Sequence, residues 1–294
     1  MAYVTRSEQH ELIQAILDHV ENGTEISVPP GFHIPRISKN RLVANDWLKN
    51  WHKFETFLKT GVPQFTIYTK GNGKLPFHSF STLPGEQFCP GAGDCLEFCY
   101  SFKAWRYPAA FFRQVQNTIL LKSPSGRAYL ENAFSKIPDH DFRLYVDGDF
   151  DSLETMKFWF DLLKTRPGIR AYGYSKSWQI FLAYNRLYKF PENYTLNSSS
   201  GSKFANSKAI HEKLQALPVY RGNYIAIPSD SKMPNVIENK SEWVEWAKEL
   251  RQRAKLFGIQ NAWICPGKCG NCTPRGHACG NKKFKNVDIV IGIH

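Results

Sequence analysis

The sequence predicts an α/β protein: a parallel β/α barrel or partial barrel, with a helical N-terminal extension and a cysteine-rich C-terminal metal-binding segment. Three observations carry that prediction. Short β-rich runs alternate with stretches of helical period along most of the chain, the pattern of strands joined by crossover helices. Polar residues follow nearly every candidate strand, as they do where the carboxyl ends of parallel strands build a site. The seven cysteines fall in two tight groups with none between Cys99 and Cys265. The 294 residues then divide into an extension over 1–61, a β/α core with the first cysteine group over 62–260, and the second group with a closing strand over 261–294.

Taken in order, Thr5 or Ser7 caps a helix over 8–21, where Leu12, Ile13, Ile16, Leu17 and Val20 recur at helical spacing. Residues 23–44 contain glycine and three prolines and read as extended loop. A helix over 45–59 sets Trp47, Trp51, Phe54 and Leu58 on one face. Strands follow over 64–68, 142–146, 169–174, 194–197, 224–227, 261–264 and 287–291. Helices between them are expected over 107–122, 126–136, 152–165, 177–189, 206–216 and 240–257.

Composition narrows the function class. It excludes collagen, coiled coil and a disordered chain. No apolar run approaches the roughly 18 residues of a spanning helix, and the first residues lack the apolar centre of a signal peptide. The expectation is a soluble, cytoplasmic protein. Lys+Arg 38 against Asp+Glu 26 gives a net charge of +12, which favours a polyanionic partner such as nucleic acid. The plainer reading of the same charge is solubility. No G-x-S-x-G, H-E-x-x-H or P-loop occurs, which argues against those hydrolases and nucleotide sites.

An odd number of cysteines in a chain without an export signal is a poor disulfide framework. Cys89, Cys95 and Cys99 are spaced x5 and x3. Three thiolates can hold three irons of a [4Fe–4S] cluster and leave the fourth open. A zinc site completed by His78 and a set of inert buried thiols are the alternatives. The spacing of four between Cys95 and Cys99 puts both on one face if that stretch is helical. Cys265, Cys269, Cys272 and Cys279 form a closed four-thiolate set that suits zinc or a cluster equally. Lys268, Arg275, Lys282, Lys283 and Lys285 surround it as a basic collar.

Other candidates stand after the strands. Asp147, Asp149 and Asp151 crowd the end of 142–146, and one of them is expected to cap the next helix. Asp149 and Lys176 are the candidate catalytic residues, Asp149 as an acid–base or SAM-binding group. Asp147, Ser175, Asn197 and Ser199 are the candidate cofactor contacts, because Ser175-Lys176-Ser177 opens a helix where free amides favour a phosphate or carboxylate. Lys103, Trp105, Arg106 and Arg113 interleave charge with aromatic rings over 102–113, which suits a nucleic-acid strand, as does the collar at Lys282, Lys283 and Lys285. An amphipathic helix with its rings packed inward is the competing reading of 102–113.

The run CPGAGDC-x3-CY, then RLYVDGDF and AYGYSKS, then CP-x2-CGNC and a closing strand, resembles the phage and plasmid "gene product 88" domain family over 62–294. That resemblance implies a mobile-element origin. Cys265-x3-Cys269-x2-Cys272 also spells the spacing of radical S-adenosylmethionine (SAM) enzymes, and three cysteines early with four late is similar to such an enzyme with an auxiliary cluster. The second resemblance implies an iron–sulfur enzyme with SAM on the open iron, acting on nucleic acid or a nucleotide-derived substrate. Two other functions fit the same residues: a non-enzymatic, zinc-stapled nucleic-acid-binding protein of a mobile element, and a zinc enzyme acting on a flipped base.

Overall fold

In a computed structural model of the chain, residues 4–26, 40–71, 75–235, 238–270, 272–273 and 276–293 are described. Arg275 and most of the expected loop over 23–44 lie outside them. The chain forms two compact units, one of residues 1–68, 81–83 and 100–136, the other of 69–80, 84–99 and 137–294.

The first unit is helical: α1 (Arg6–Asn22), α2 (Asn40–Thr60), a 3₁₀ turn over Tyr100–Arg106, α3 (Pro108–Lys122) and α4 (Pro124–Ser135). Thr5 rather than Ser7 caps α1, its hydroxyl accepting from the Glu8 N–H while the Glu8 carboxylate accepts from the Thr5 N–H. Leu12, Ile13, Ile16 and Leu17 are buried as the spacing predicts, whereas Val20 is exposed. On α2 the buried face is Trp47, Trp51, Phe54 and Phe57, and the Trp47 ring packs against Phe111 and Phe112 of α3. The strand expected over 64–68 does not form. Its backbone groups bond to side chains instead: Gln116 Oε1 accepts from the N–H groups of Gln64 and Phe65, and Gln116 Nε2 donates to the Phe65 carbonyl.

The second unit is an eight-stranded sheet in the order β1-β2-β3-β4-β5-β6-β8-β7. The strands are β1 (Thr69–Lys70), β2 (His78–Ser79), β3 (Asp141–Arg143), β4 (Arg170–Ser175), β5 (Tyr194–Ser199), β6 (Tyr220–Pro228), β7 (Ala262–Ile264) and β8 (Asp288–Ile293). Among these described strands, β1 and β2 alone pair antiparallel. The pairings end at β1 and β7 and do not by themselves close a barrel.

Helices α5 (Leu153–Lys164), α6 (Trp178–Leu187), α7 (Lys208–Gln215) and α8 (Lys240–Leu256) make the crossovers from β3 to β7. The expected strand 142–146 ends at Arg143, because Tyr145 adopts a left-handed φ of 61° that no regular strand accommodates. Ser152, not one of the three aspartates, caps α5 by accepting from the Thr155 N–H. β8 inserts between β6 and β7, so the chain leaving β7 crosses the sheet before it returns. That crossing carries the second cysteine group. Among the described residues no helix is long and apolar enough to cross a membrane.

Candidate metal centres

The first cysteine group lies in a loop seated on the turns that leave β4 and β5. A 3₁₀ turn spans only Asp94–Leu96, so Cys95 and Cys99 do not share a helical face. The loop is fastened by backbone bonds: Gly93 N–H to the Gly201 carbonyl at 2.9 Å, and Lys203 N–H to the Gly91 carbonyl at 3.0 Å. Ser202 Oγ donates to the Lys176 carbonyl from the same turn (3.0 Å). The fit leaves no room for side chains at Gly91, Gly93 or Gly201. A Cβ on Gly91 would stand 1.8 Å from the Lys176 carbonyl oxygen, and one on Gly201 would stand 2.7 Å from the Cys95 Cβ. Gly201 also has a φ of 75°, where L side chains are strained.

Beneath the loop, Asp149 is buried and its carboxylate accepts four hydrogen bonds. They come from Ser175 Oγ (2.7 Å) and the N–H groups of Lys176 (2.7 Å), Ser177 (3.2 Å) and Phe150 (2.8 Å). The amides that open α6 are therefore filled by Asp149 rather than left for a phosphate. Burial raises the Asp149 carboxyl above its ordinary range, and the Lys176 N–H and Ser175 hydroxyl bonds oppose that rise. Lys176 Nζ donates to Ser199 Oγ at 2.9 Å. Burial raises the thiols of Cys89 and Cys95, and the Lys176 charge pulls both back down. Cys89, Cys95, Asp149, Lys176, Ser175 and Ser199 thus form one neighbourhood. His78 does not join it: its Nδ1 lies 2.7 Å from His140 Nε2, and the two rings stack.

The second group packs with Phe77, Tyr172, Tyr174, Tyr224, Trp263 and Phe284 in one apolar cluster. Three of the four sulfurs have a hydrogen-bond donor. Gly267 N–H donates to Cys265 (3.4 Å) and Ala278 N–H to Cys272 (3.3 Å). The Tyr224 and Tyr174 hydroxyls donate to Cys265 and Cys279. The fully buried Tyr172 hydroxyl lies near Cys269 and has no hydrogen-bond partner among the described residues. Burial pushes the Cys265 thiol up to about 11, with the Gly267 bond opposing, and pushes Cys279 up as well.

Asn197 touches this second group. Its Nδ2 donates to the carbonyls of Gly173 (3.1 Å) and Cys279 (3.0 Å). Among the described residues, no three His, Cys, Asp or Glu side chains are grouped closely enough to hold one metal ion as they stand.

A profile of the family described as Gene product 88 matches residues 51–284. The chain belongs to that family. The matched stretch contains all seven cysteines, Asp149, Lys176 and Asn197. Neither a curated protein nor a solved structure matches the chain.

The nucleic-acid candidates divide between the two units. Lys103 and Arg106 are exposed on the 3₁₀ turn of the first unit. Trp105 is only 1% exposed and its indole N–H donates to Gln114 Oε1, so no face is left for a base. Arg113 is half-buried on α3. In the second unit Lys283 and Lys285 are exposed, as is Lys282, whose ammonium donates to the Glu192 carbonyl. Asp147 is buried two residues before Asp149. The sequence reading missed Arg221, Tyr172, Tyr174 and Tyr224. The tyrosines alternate along strands, a pattern that core packing produces equally well.

Proposed function

We propose that this family member is a metalloenzyme with two cysteine-held centres. Cys89, Cys95 and Cys99 form an open [4Fe–4S] site, and Cys265, Cys269, Cys272 and Cys279 form a closed site for a second cluster or zinc. The reaction class is the one similar to radical SAM enzymes, with SAM as candidate co-substrate and nucleic acid or a nucleotide-derived compound as substrate. The observation that carries the reading is the seating of the three-thiol loop on the β4 and β5 turns, against Lys176 and Ser199.

The donor sets suit these groups. Thiolates, unlike thiols, want several donors; three sulfurs of the second set have one, and the unpaired Tyr172 hydroxyl lies near the fourth. Three cysteines at the first set leave one iron of a cubane without a protein ligand. A cluster held in this way supplies a coordination position for a small molecule and an electron to pass to it. The chain's own residues do the rest. Asp149 fixes the first turn of α6 and so the backbone of Lys176, whose ammonium offsets thiolate charge. Ser199 aims that ammonium, and the glycines at 91 and 201 let the loop close against both turns. Loading either set draws its thiols together, so metal binding and local closure stabilise one another.

The second reading, a zinc-stapled nucleic-acid-binding protein, is favoured by the exposed Lys283 and Lys285 and the net charge of +12. One experiment separates the two. Protein purified without oxygen should be brown and carry about eight irons with matching sulfide, or about four irons and one zinc. Colourless protein with two zinc ions and no sulfide overturns the enzyme reading in favour of the second.

A further inference from the structure

Arg221, on β6, is 0% exposed. Its Nε donates to Asn197 Oδ1 (2.7 Å), Nη1 to the carbonyls of Phe284 (3.3 Å) and Val287, and Nη2 to the Asn223 carbonyl (2.9 Å). All of these acceptors are neutral. A guanidinium keeps its charge at any working pH, so it stands in the interior as a cation with no carboxylate of the described residues bonded to it. Asp288, the nearby carboxylate, accepts from Asn223 Nδ2 instead (2.7 Å). Burial lowers the Arg221 pKa, and the first charge that opposes this is Cys279. The link is also mechanical. The Asn197 side chain accepts from Arg221 and donates to the Cys279 carbonyl, so one amide joins the guanidinium to a cysteine of the second set.

We infer that Arg221 is the built-in counter-cation of the C-terminal four-cysteine centre, and that this pairing couples metal binding to the fastening of residues 279–287 onto β6. The inference rests on the proposal that the four cysteines hold a metal. Four thiolates around Zn²⁺, or around a cubane of the usual charge, leave a net charge of about −2. That charge adds to that of the nearby carboxylate, Asp288, which bonds Asn223 rather than Arg221. Arginine suits the place because its planar fork bonds Asn197 and three carbonyls at once, which an ammonium cannot do. Coupling of this kind is reciprocal: whatever the cation contributes to holding the metal, the metal contributes to holding the cation's segment in place. Arg221 is a positioning residue and touches no substrate.

The test uses the full chain carrying Cys89→Ala, Cys95→Ala and Cys99→Ala, so that only the second set loads. Zinc is titrated into it against a competing chelator, with and without Arg221→Met or Arg221→Lys. We expect one zinc in the parent, binding at least tenfold weaker in Arg221→Met, and partial recovery in Arg221→Lys, which keeps the charge but loses the fork. Equal affinity in the parent and Arg221→Met overturns the inference. A parent that takes up neither zinc nor, on anaerobic reconstitution, iron overturns the metal reading beneath it.

A chain without Arg221 that does not fold moves the test to the wild-type protein, followed by hydrogen exchange before and after chelation. Metal removal should then speed exchange in β6 and residues 279–287 at least tenfold, and more than in β3 and β4. Unchanged exchange in β6 and 279–287 overturns the coupling.

Discussion

Asp141, at the start of β3, accepts a hydrogen bond from Arg170 Nε at 2.7 Å and lies 3.3 Å from His277 Nε2. Burial alone raises its carboxyl, but the hydrogen bonds from His277 and Arg170 outweigh it and bring the pKa from 3.8 to about 2. A carboxylate whose folded value lies below its unfolded one adds stability above about pH 4, and loses it as pH falls toward about 2. The side chain is 22% exposed, so solvent screening reduces the effect to about 1–2 kcal/mol. Asp141→Asn should lower the unfolding free energy by that amount at neutral pH and flatten the acid limb. Urea titrations of both proteins at pH 6, 4 and 3 check this, and parallel acid limbs would refute it. Other residues show what a sequence can reveal. The cysteines were legible because ligand spacing is a local property of the chain. Arg221 was not, because its acceptors on 197, 223, 284 and 287 meet only in the fold. Asp149 was legible as special, but the four donors that commit it to α6 were not.

Helices with a strong apolar period, such as α1, α2 and α8, form close to where the sequence puts them, because burial of one face decides both. Strands were harder to place. Residues 64–68 have strand composition, yet Gln116 on α3 takes up their backbone groups, a partner distant in sequence. β2 was missed because two residues, His78 and Ser79, leave no alternation to read. The loop over residues 89–99 has no period at all, and its placement depends on contacts made by glycine. Gly91→Ala tests that dependence. Its Cβ would meet the Lys176 carbonyl at 1.8 Å, and backbone cannot yield as a flexible side-chain tip does. The loop must lift from the β4 turn, at a cost of about 1–3 kcal/mol. Metal analysis of the anaerobic protein should then show the first centre lost and the second retained. Full loading of both centres in Gly91→Ala would show that this seating does not build the first site.

Across the whole molecule the net charge of +12 is the property that sequence states most plainly and the fold redistributes most. Of the seven candidate contacts for nucleic acid, Lys103, Arg106, Lys282, Lys283 and Lys285 reach solvent, while Trp105 is core. Phosphate contacts by the exposed cations release counterions, so log affinity for a single strand should fall linearly with log salt, by about 0.7 per phosphate neutralised. Lys283→Ala with Lys285→Ala removes two exposed cations beside β8 and should reduce the slope by about 1.4 if both grip phosphate. Trp105→Ala separates charge from packing. Deleting a buried indole costs about 3–5 kcal/mol of stability, and the slope of whatever folded protein remains should not change. Filter binding from low to high salt, paired with thermal melts, reads all three proteins. A wild-type chain that binds neither single nor double strands at low salt would assign the charge to solubility. The Lys176 neighbourhood would then serve a small molecule or a protein substrate.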